Sequence, residues 1–308
     1  MKESNFVSAV IYIRNSAKTI INTLQVMSAL FDTGFQKYEI ICIDDSSEDD
    51  TTSKVRLFAK EHEDVSLTLI STGFYQGVER AMNAGVDFAI GDFVFQFDSD
   101  VIDYELPLIM NVYNRCLQGF DIVSAVPDKK ARTSSKLFYS LFNKYSQTQY
   151  PLASDRFRII SRRGINRVGQ MSNSVFYRKV LYANCGLKAD IVKYSAKPGK
   201  KNSFAKHERT FRRELAIDSF VLFTDLAAKI SMAMCSIMLL VTLASGIYTV
   251  VIFVIGQPVF GWTTTMLLLS VGLFGIFAVL TLAIKYLSLV LKLVFERQKY
   301  VIENVEKL

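Results

Sequence analysis

Histidine and tryptophan are nearly absent from this chain, with two His and one Trp in 308 residues. With only His62 and His207 available, neither a His-rich zinc site nor a Ser-His-Asp triad is expected. The four cysteines, Cys42, Cys116, Cys185 and Cys235, follow no metal-ligand or disulfide spacing. They read as core fillers in a reducing compartment. Met1 to Phe6 lacks a basic segment leading into an apolar run and a cleavage site, so no signal peptide is expected. No internal repeat or low-complexity tract appears.

The longest absence is of charge. Residues 230–284 contain no Asp, Glu, Lys, Arg or His and are broken once, at Gly256-Gln257-Pro258. Each half exceeds the roughly 20 residues a helix needs to cross a bilayer core. Two transmembrane helices are therefore expected, about Ile230 to Ile255 and Thr263 to Ile284. The turn from Gly256 to Trp262 is uncharged, whereas Arg212, Arg213 and Lys229 precede the first span and Lys285, Lys292, Arg297 and Lys299 follow the second. The positive-inside rule then predicts an integral protein of the plasma (inner) membrane with both termini and the catalytic domain in the cytoplasm.

Half of the residues are hydrophobic and the net charge is +7, but the charge is unevenly spread. Residues 1–127 carry 9 Lys/Arg against 19 Asp/Glu, and residues 128–214 carry 21 against 5. A basic block beside an apolar hairpin predicts contact with the lipid bilayer or a lipid phosphate rather than with nucleic acid. Mixed basic and apolar residues from Ser203 to Lys229 suggest an interfacial helix or a packing helix.

The first segment alternates strand-like and helix-like patterns, predicting an α/β nucleotide-binding domain. Strands are expected at Phe6–Ile13, Glu39–Ile43, Leu67–Ser71, Phe93–Phe97 and Ile122–Ala125. Helices are expected at Ala17–Phe31, Ser53–Glu61, Val78–Phe88 and Leu106–Leu117. Acidic residues follow two of the strands. Asp98-Ser99-Asp100 can hold a divalent cation against a diphosphate, or form a solvated turn. Asp44 and Asp45, heading the run to Thr51, can accept hydrogen bonds from a base or ribose, or cap the next helix. Gly77 to Gly85 brings small residues to a helix start, for a ligand or for tight packing.

In this order Asn15, Asp44 to Thr51, Gly77 to Gly85 and Asp98 to Asp100 resemble the blocks of family-two glycosyltransferases with a GT-A fold. Asp155-Arg156-Phe157-Arg158-Ile159-Ile160-Ser161-Arg162 is similar to the Asp-Phe-Arg-Leu-Met-Ser-Arg segment of polyisoprenyl-phosphate glycosyltransferases, the GtrB-like and dolichyl-phosphate-mannose-synthase-like branch. The chain departs from the pattern at Ser46, which replaces a Gly, and at Arg156, which sets Asp155 one residue away from the catalytic-carboxylate position. It also lacks a nucleotide-contacting Glu at its first strand.

The resemblance implies a GT-A domain over residues 1–202, juxtamembrane helices over 203–229, a two-helix transmembrane hairpin over 230–284 and a cytoplasmic tail over 285–308. It implies inverting sugar transfer from a nucleotide-sugar, with a UDP-sugar expected, to a polyprenyl phosphate. Asn15, Asp44, Asp45, Gly77, Asn83 and Asp98 would bind the donor, and Asp98 and Asp100 would hold Mg²⁺ or Mn²⁺. Asp100 and Asp155 would be catalytic, Asp155 as a weak base or positioning group. Lys129, Arg132 and Ser135, with Arg158 and Arg162, would grip the acceptor phosphate. A homo-oligomer is expected. The alternatives are a glycolipid or polysaccharide synthase of the same fold and a binding protein whose transferase site has decayed. Trp262, the only tryptophan, lies outside any Gln-x-x-Arg-Trp motif, which argues against processive synthesis.

Overall fold

The computed structural model describes residues 2–128, 155–171, 178–197, 262–295 and 300–308, with isolated positions 140, 143, 150, 152, 233–234, 237–238, 240–241 and 244. They fall into two compact units, one holding the described residues up to 197 with 300–308, the other those of 233–295.

The first unit begins with β1 (Glu3–Ile13), α1 (Ile20–Gly34), β2 (Phe35–Asp44), α2 (Thr51–Glu61) and β3 (Leu67–Thr72). It continues with α3 (Val78–Phe88), β4 (Phe93–Phe97), α4 (Pro107–Leu117) and β5 (Ile122–Pro127). Then come β6 (Phe157–Ser161), α5 (Arg162–Met171), α6 (Arg178–Asn184) and β7 (Ala189–Tyr194), and β8 (Ile302–Lys307) closes it. Each element expected between Phe6 and Ala125 is present. The strands form one sheet in the order β7-β5-β6-β4-β1-β2-β3-β8. β1 to β4 are mutually parallel, whereas β6 runs antiparallel to β4 and β5, and β8 antiparallel to β3.

β1 is an almost unbroken apolar run because both its faces are covered. Val7, Ala9, Ile11 and Ile13 join a core with α1, α2 and α4, while Val10 and Tyr12 join another with α3, α5 and α6. The expected small-residue block starting α3 is partly explained by this packing. A Cβ at Gly85 would lie 2.4 Å from Val10 and 2.7 Å from Ile43, so only glycine lets α3 sit on the sheet.

In the second unit α7 (Trp262–Phe295) is a single helix that does not stop at Ile284 but continues through Lys285. The first expected span lies almost wholly outside the described residues, as do residues 203–229. Counting uncharged residues along the sequence predicted a hairpin, but a span requires those residues in one sufficiently apolar helix. Among the described residues no helix is long and apolar enough to cross a membrane. This finding overturns the two-helix transmembrane hairpin and the integral plasma-membrane location with cytoplasmic termini drawn from it. The segment expected as a tail over 285–308 instead continues α7 to Phe295 and supplies the edge strand β8.

Candidate active site

β1 and β2 finish side by side, with Ile13 opposite Asp44. Beyond them the chain makes two left-handed steps, at Asn15 (φ 49°) and Ser46 (φ 56°). Glycine takes this conformation without steric cost, so Ser46 carries a modest strain at the place of the family's Gly. Asn15 Oδ1 accepts from Glu48 N at 2.8 Å, and Asn15 N donates to Ser47 Oγ at 2.9 Å. Asp44 is buried and accepts from the Ser47 backbone N–H and hydroxyl. Burial pushes its carboxyl above the ordinary range, against the Ser47 bonds and with Asp45 and Asp49 adding to the rise.

Asp45 is fully buried and spends both oxygens on its own fold. Oδ1 accepts from Thr72 Oγ1 (3.1 Å) and Gln76 N (2.8 Å), and Oδ2 from Tyr12 OH (3.0 Å) and Gly77 N (2.8 Å). Its carboxylate thus shapes the turn into α3, where Gly77 has φ 83°. Gln76 is anchored from the other side as well, through a reciprocal amide pair with the Val301 backbone. Within α3, Asn83 Nδ2 is buried without a hydrogen-bond partner, a donor that a bound ligand could satisfy.

At the tip of β4, Asp98 is clamped by two buried arginines. Its Oδ2 accepts from Arg158 Nη2 at 2.9 Å and its Oδ1 from Arg178 Nη2 at 2.8 Å. Arg158 Nε also reaches Asp155 Oδ2 at 2.7 Å, and Lys179 pairs with Asp155 Oδ1. Ser124 Oγ donates to Asp155 at 3.2 Å. Arg178 extends the chain of charges to Glu79 (3.0 Å) and Gln96 (2.9 Å), and Gln96 meets Tyr182 OH at 2.9 Å. Three carboxylates and three cations therefore balance in one buried network, which is what makes such burial tolerable. Burial would raise Asp98 and Asp155, but Arg158 beside both, with Arg178 at Asp98 and Lys179 at Asp155, holds each below the usual carboxylate range.

Two residues beyond Asp98, Asp100 contacts α1 instead, its carboxylate accepting from Thr19 Oγ1 and its carbonyl from Thr23 Oγ1 at 2.7 Å. Among the described residues no group of three or more His, Cys, Asp or Glu could hold a metal. Asp98 has both oxygens on guanidinium groups, so the donor set fits a divalent cation only at Asp100. One or two carboxylates completed by substrate phosphates are what Mg²⁺-type binding uses.

Of the residues expected to grip the acceptor, Arg158 is in the network, whereas Arg162 donates to the backbone carbonyls of Ala89 and Gly91. Lys129, Arg132 and Ser135 lie outside the described residues. Arg178, Lys179, Gln96 and Tyr182 do not stand out as site residues in the sequence, and Glu79 does so only as a member of the Gly77 to Gly85 block. The one signal available was Gln96, a polar residue inside the apolar strand Phe93–Phe97, which needed partners.

Residues 8–181 match the model of the family described as Glycosyl transferase family 2. The chain is 25% identical over 254 residues to "Uncharacterized glycosyltransferase sll0501" of Synechocystis, covering 77% of this chain and 79% of that protein. It is 29% identical over 162 residues to "Prophage bactoprenol glucosyl transferase homolog" of Escherichia coli, covering 51% and 52%, so the match spans about half of that relative's length. Its fold is similar to the solved "Mannosyltransferase PcManGT from Pyrobaculum calidifontis in complex with GDP-Man and Mn2+", with a TM-score of 0.53, 16% identity and 96% and 89% coverage. This likeness supports the GT-A α/β architecture.

Proposed function

Because the chain belongs to glycosyl transferase family 2, we propose that it transfers a sugar from a nucleotide-sugar to a polyprenyl phosphate, with inversion at the anomeric carbon. The observation that carries this reading is the convergence of Asp44, Asp98 and Asp100 at the C-terminal ends of β2 and β4. Those strands flank β1, where the strand order reverses and open α/β sheets bind ligands. The bactoprenol glucosyl transferase relative supports the choice of acceptor.

In the reaction an acceptor phosphate oxygen bonds to the anomeric carbon as the bond to the nucleotide diphosphate breaks, and the diphosphate leaves with the electron pair. The phosphate monoester is already largely ionised at neutral pH, with a second pKa of about 6, so little proton transfer is needed. Asp155, held as a carboxylate by Arg158 and Lys179, fits a positioning group for those cations better than a general base. Asn15, Asp44, Gly77 and Asn83 would contact the donor, while Asp45 and Asp98 fix the turn and the arginines around it. Asp100 would hold Mg²⁺ or Mn²⁺, which when bound neutralises charge on the leaving diphosphate.

The test is a panel of radiolabelled UDP- and GDP-sugars with a polyprenyl phosphate, counting label in the organic phase. Label that appears with one donor supports the reading; none with any of them overturns it.

A further inference from the structure

A cavity of about 230 Å³ opens beside the buried network, on the α6 side of the sheet. Its size far exceeds the ~10–15 Å³ that one water needs and falls below the ~300–1,000 Å³ of pockets that enclose a whole drug-sized ligand. It suits a part of a larger ligand. Ile122, Leu152, Ala183, Ala189 and Ile191 give it apolar walls, Asp155, Arg158, Lys179 and Ser124 line it with charged and polar groups, and Tyr150, Tyr182 and Asp190 complete the lining, Tyr182 held by Gln96 and Asp190 by Arg115.

The polar groups on that side are almost entirely committed to each other. Asp155 is taken by Ser124, Arg158 and Lys179, and Arg158 by Asp155 and Asp98. What remains is Arg158 Nη1, a buried donor without a partner on a side chain only 1% exposed. A hexose would bring several hydroxyls, more than the few lining groups not already engaged by Asp155, Gln96 and Arg115 can satisfy. Because the network is already balanced in charge, the cavity would not hold a full phosphate dianion. The complementary ligand is mostly hydrocarbon, with an acceptor atom at the end that meets Arg158.

Resting on the acceptor reading above, we propose that this cavity seats the first isoprene units of the acceptor, with the ester oxygen at Arg158 Nη1 and the phosphate charge at the cavity mouth. The lipid is then recognised by its head-end hydrocarbon as well as by its phosphate.

Calorimetric titration of the full chain with farnesyl phosphate, farnesol and inorganic phosphate tests this. Farnesyl phosphate should bind, and Ala183→Leu and Ala189→Leu, which fill the cavity, should each weaken it by about tenfold. Circular dichroism confirms that the variants fold. Inorganic phosphate should bind far more weakly, while farnesol should keep measurable, cavity-dependent binding. Wild-type affinity for farnesyl phosphate in both folded variants, or equal affinity for inorganic phosphate, overturns the proposal. If sugar transfer fails with every donor while cavity-dependent farnesyl phosphate binding persists, the activity falls and the cavity assignment stands. If transfer proceeds with an unchanged acceptor KM in both variants, the reverse holds.

Discussion

Asp45→Asn removes one charge and no volume, and the geometry leaves its new amide nowhere to turn. Each carboxylate oxygen accepts one backbone N–H, Gln76 N on Oδ1 and Gly77 N on Oδ2, both at 2.8 Å. Whichever way the Asn amide is flipped, its NH₂ faces a backbone N–H that cannot rotate away. One hydrogen bond to a charged group, worth ~1.5–3 kcal/mol, is lost, and the stranded buried N–H costs a further ~1–3 kcal/mol in part overlapping with it. The expected destabilisation is about 3 kcal/mol. At ~2–4 °C per kcal/mol for domains of 150–250 residues this is a fall in Tm of roughly 6–12 °C.

The neighbouring residue provides the control. Among the described residues Asp44 has only Ser47 as hydrogen-bond partner, and burial already disfavours its charge, so Asp44→Asn should be neutral or slightly stabilising. Urea unfolding followed by circular dichroism, with thermal melts alongside, measures both. Equal effects of the two substitutions, or a cost below about 1 kcal/mol for Asp45→Asn, would refute the assignment of Asp45 to the turn.

Three further outcomes follow from the charged network and from Asp100 beside it in the sequence. Arg158→Met should cost about 3 kcal/mol in urea unfolding, the low end of the ~3–5 kcal/mol for breaking a buried pair, since Asp98 keeps Arg178 and Asp155 keeps Lys179; a loss within experimental scatter contradicts it. Asp100→Asn should abolish sugar transfer and leave the melt unchanged, and retained turnover removes Asp100 from the site. Because Asp98 and Asp155 have depressed carboxyl pKa values in the fold, the stability they confer is complete above the unfolded value of about 3.9 and is lost as pH falls below it. Acid titration of the wild type should therefore show a drop in stability below about pH 4 that is smaller in an Asp98→Asn/Asp155→Asn variant, where Asp49, Asp121 and Glu306 still contribute; superimposable profiles would remove the network from the acid transition.

The first half of the fold was legible because its strands are buried on both faces and its helices carry regular apolar spacing. Phe93–Phe97 and Val78–Phe88 were expected with the boundaries they have. β6 hides a buried arginine among apolar residues. β8 (Ile-Glu-Asn-Val-Glu-Lys) is mostly exposed and is held by main-chain pairing with β3 and by Arg56 on Glu306. Neither signature stands out along a sequence. The network was illegible for another reason. Asp98 meets Arg178 across 80 residues and Glu79 meets it across 99, and no local pattern encodes such a distance. The basic block was visible as excess charge, which suggested surface, whereas Arg158 and Arg178 are among its most buried side chains.

A separate set of contacts accommodates Arg156, the residue that sets Asp155 apart from the family pattern. Arg156 turns to the other side of the strand entry, where its guanidinium pairs with both oxygens of Asp103 and its N–H with Ala125 O. Tyr194 OH donates to the same Asp103 at 3.0 Å. The extra residue thus has its own buried partner, and Arg158, three positions beyond Asp155, folds back to reach it and Asp98 together. β6 pairs with β4 in a regular antiparallel register, with Phe157 opposite Phe97 and Arg158 opposite Gln96. Asp103 and Arg156 act as a compensating pair, and the carboxylate at 155 is tied to the β4 tip through the guanidinium rather than through its place in the sequence.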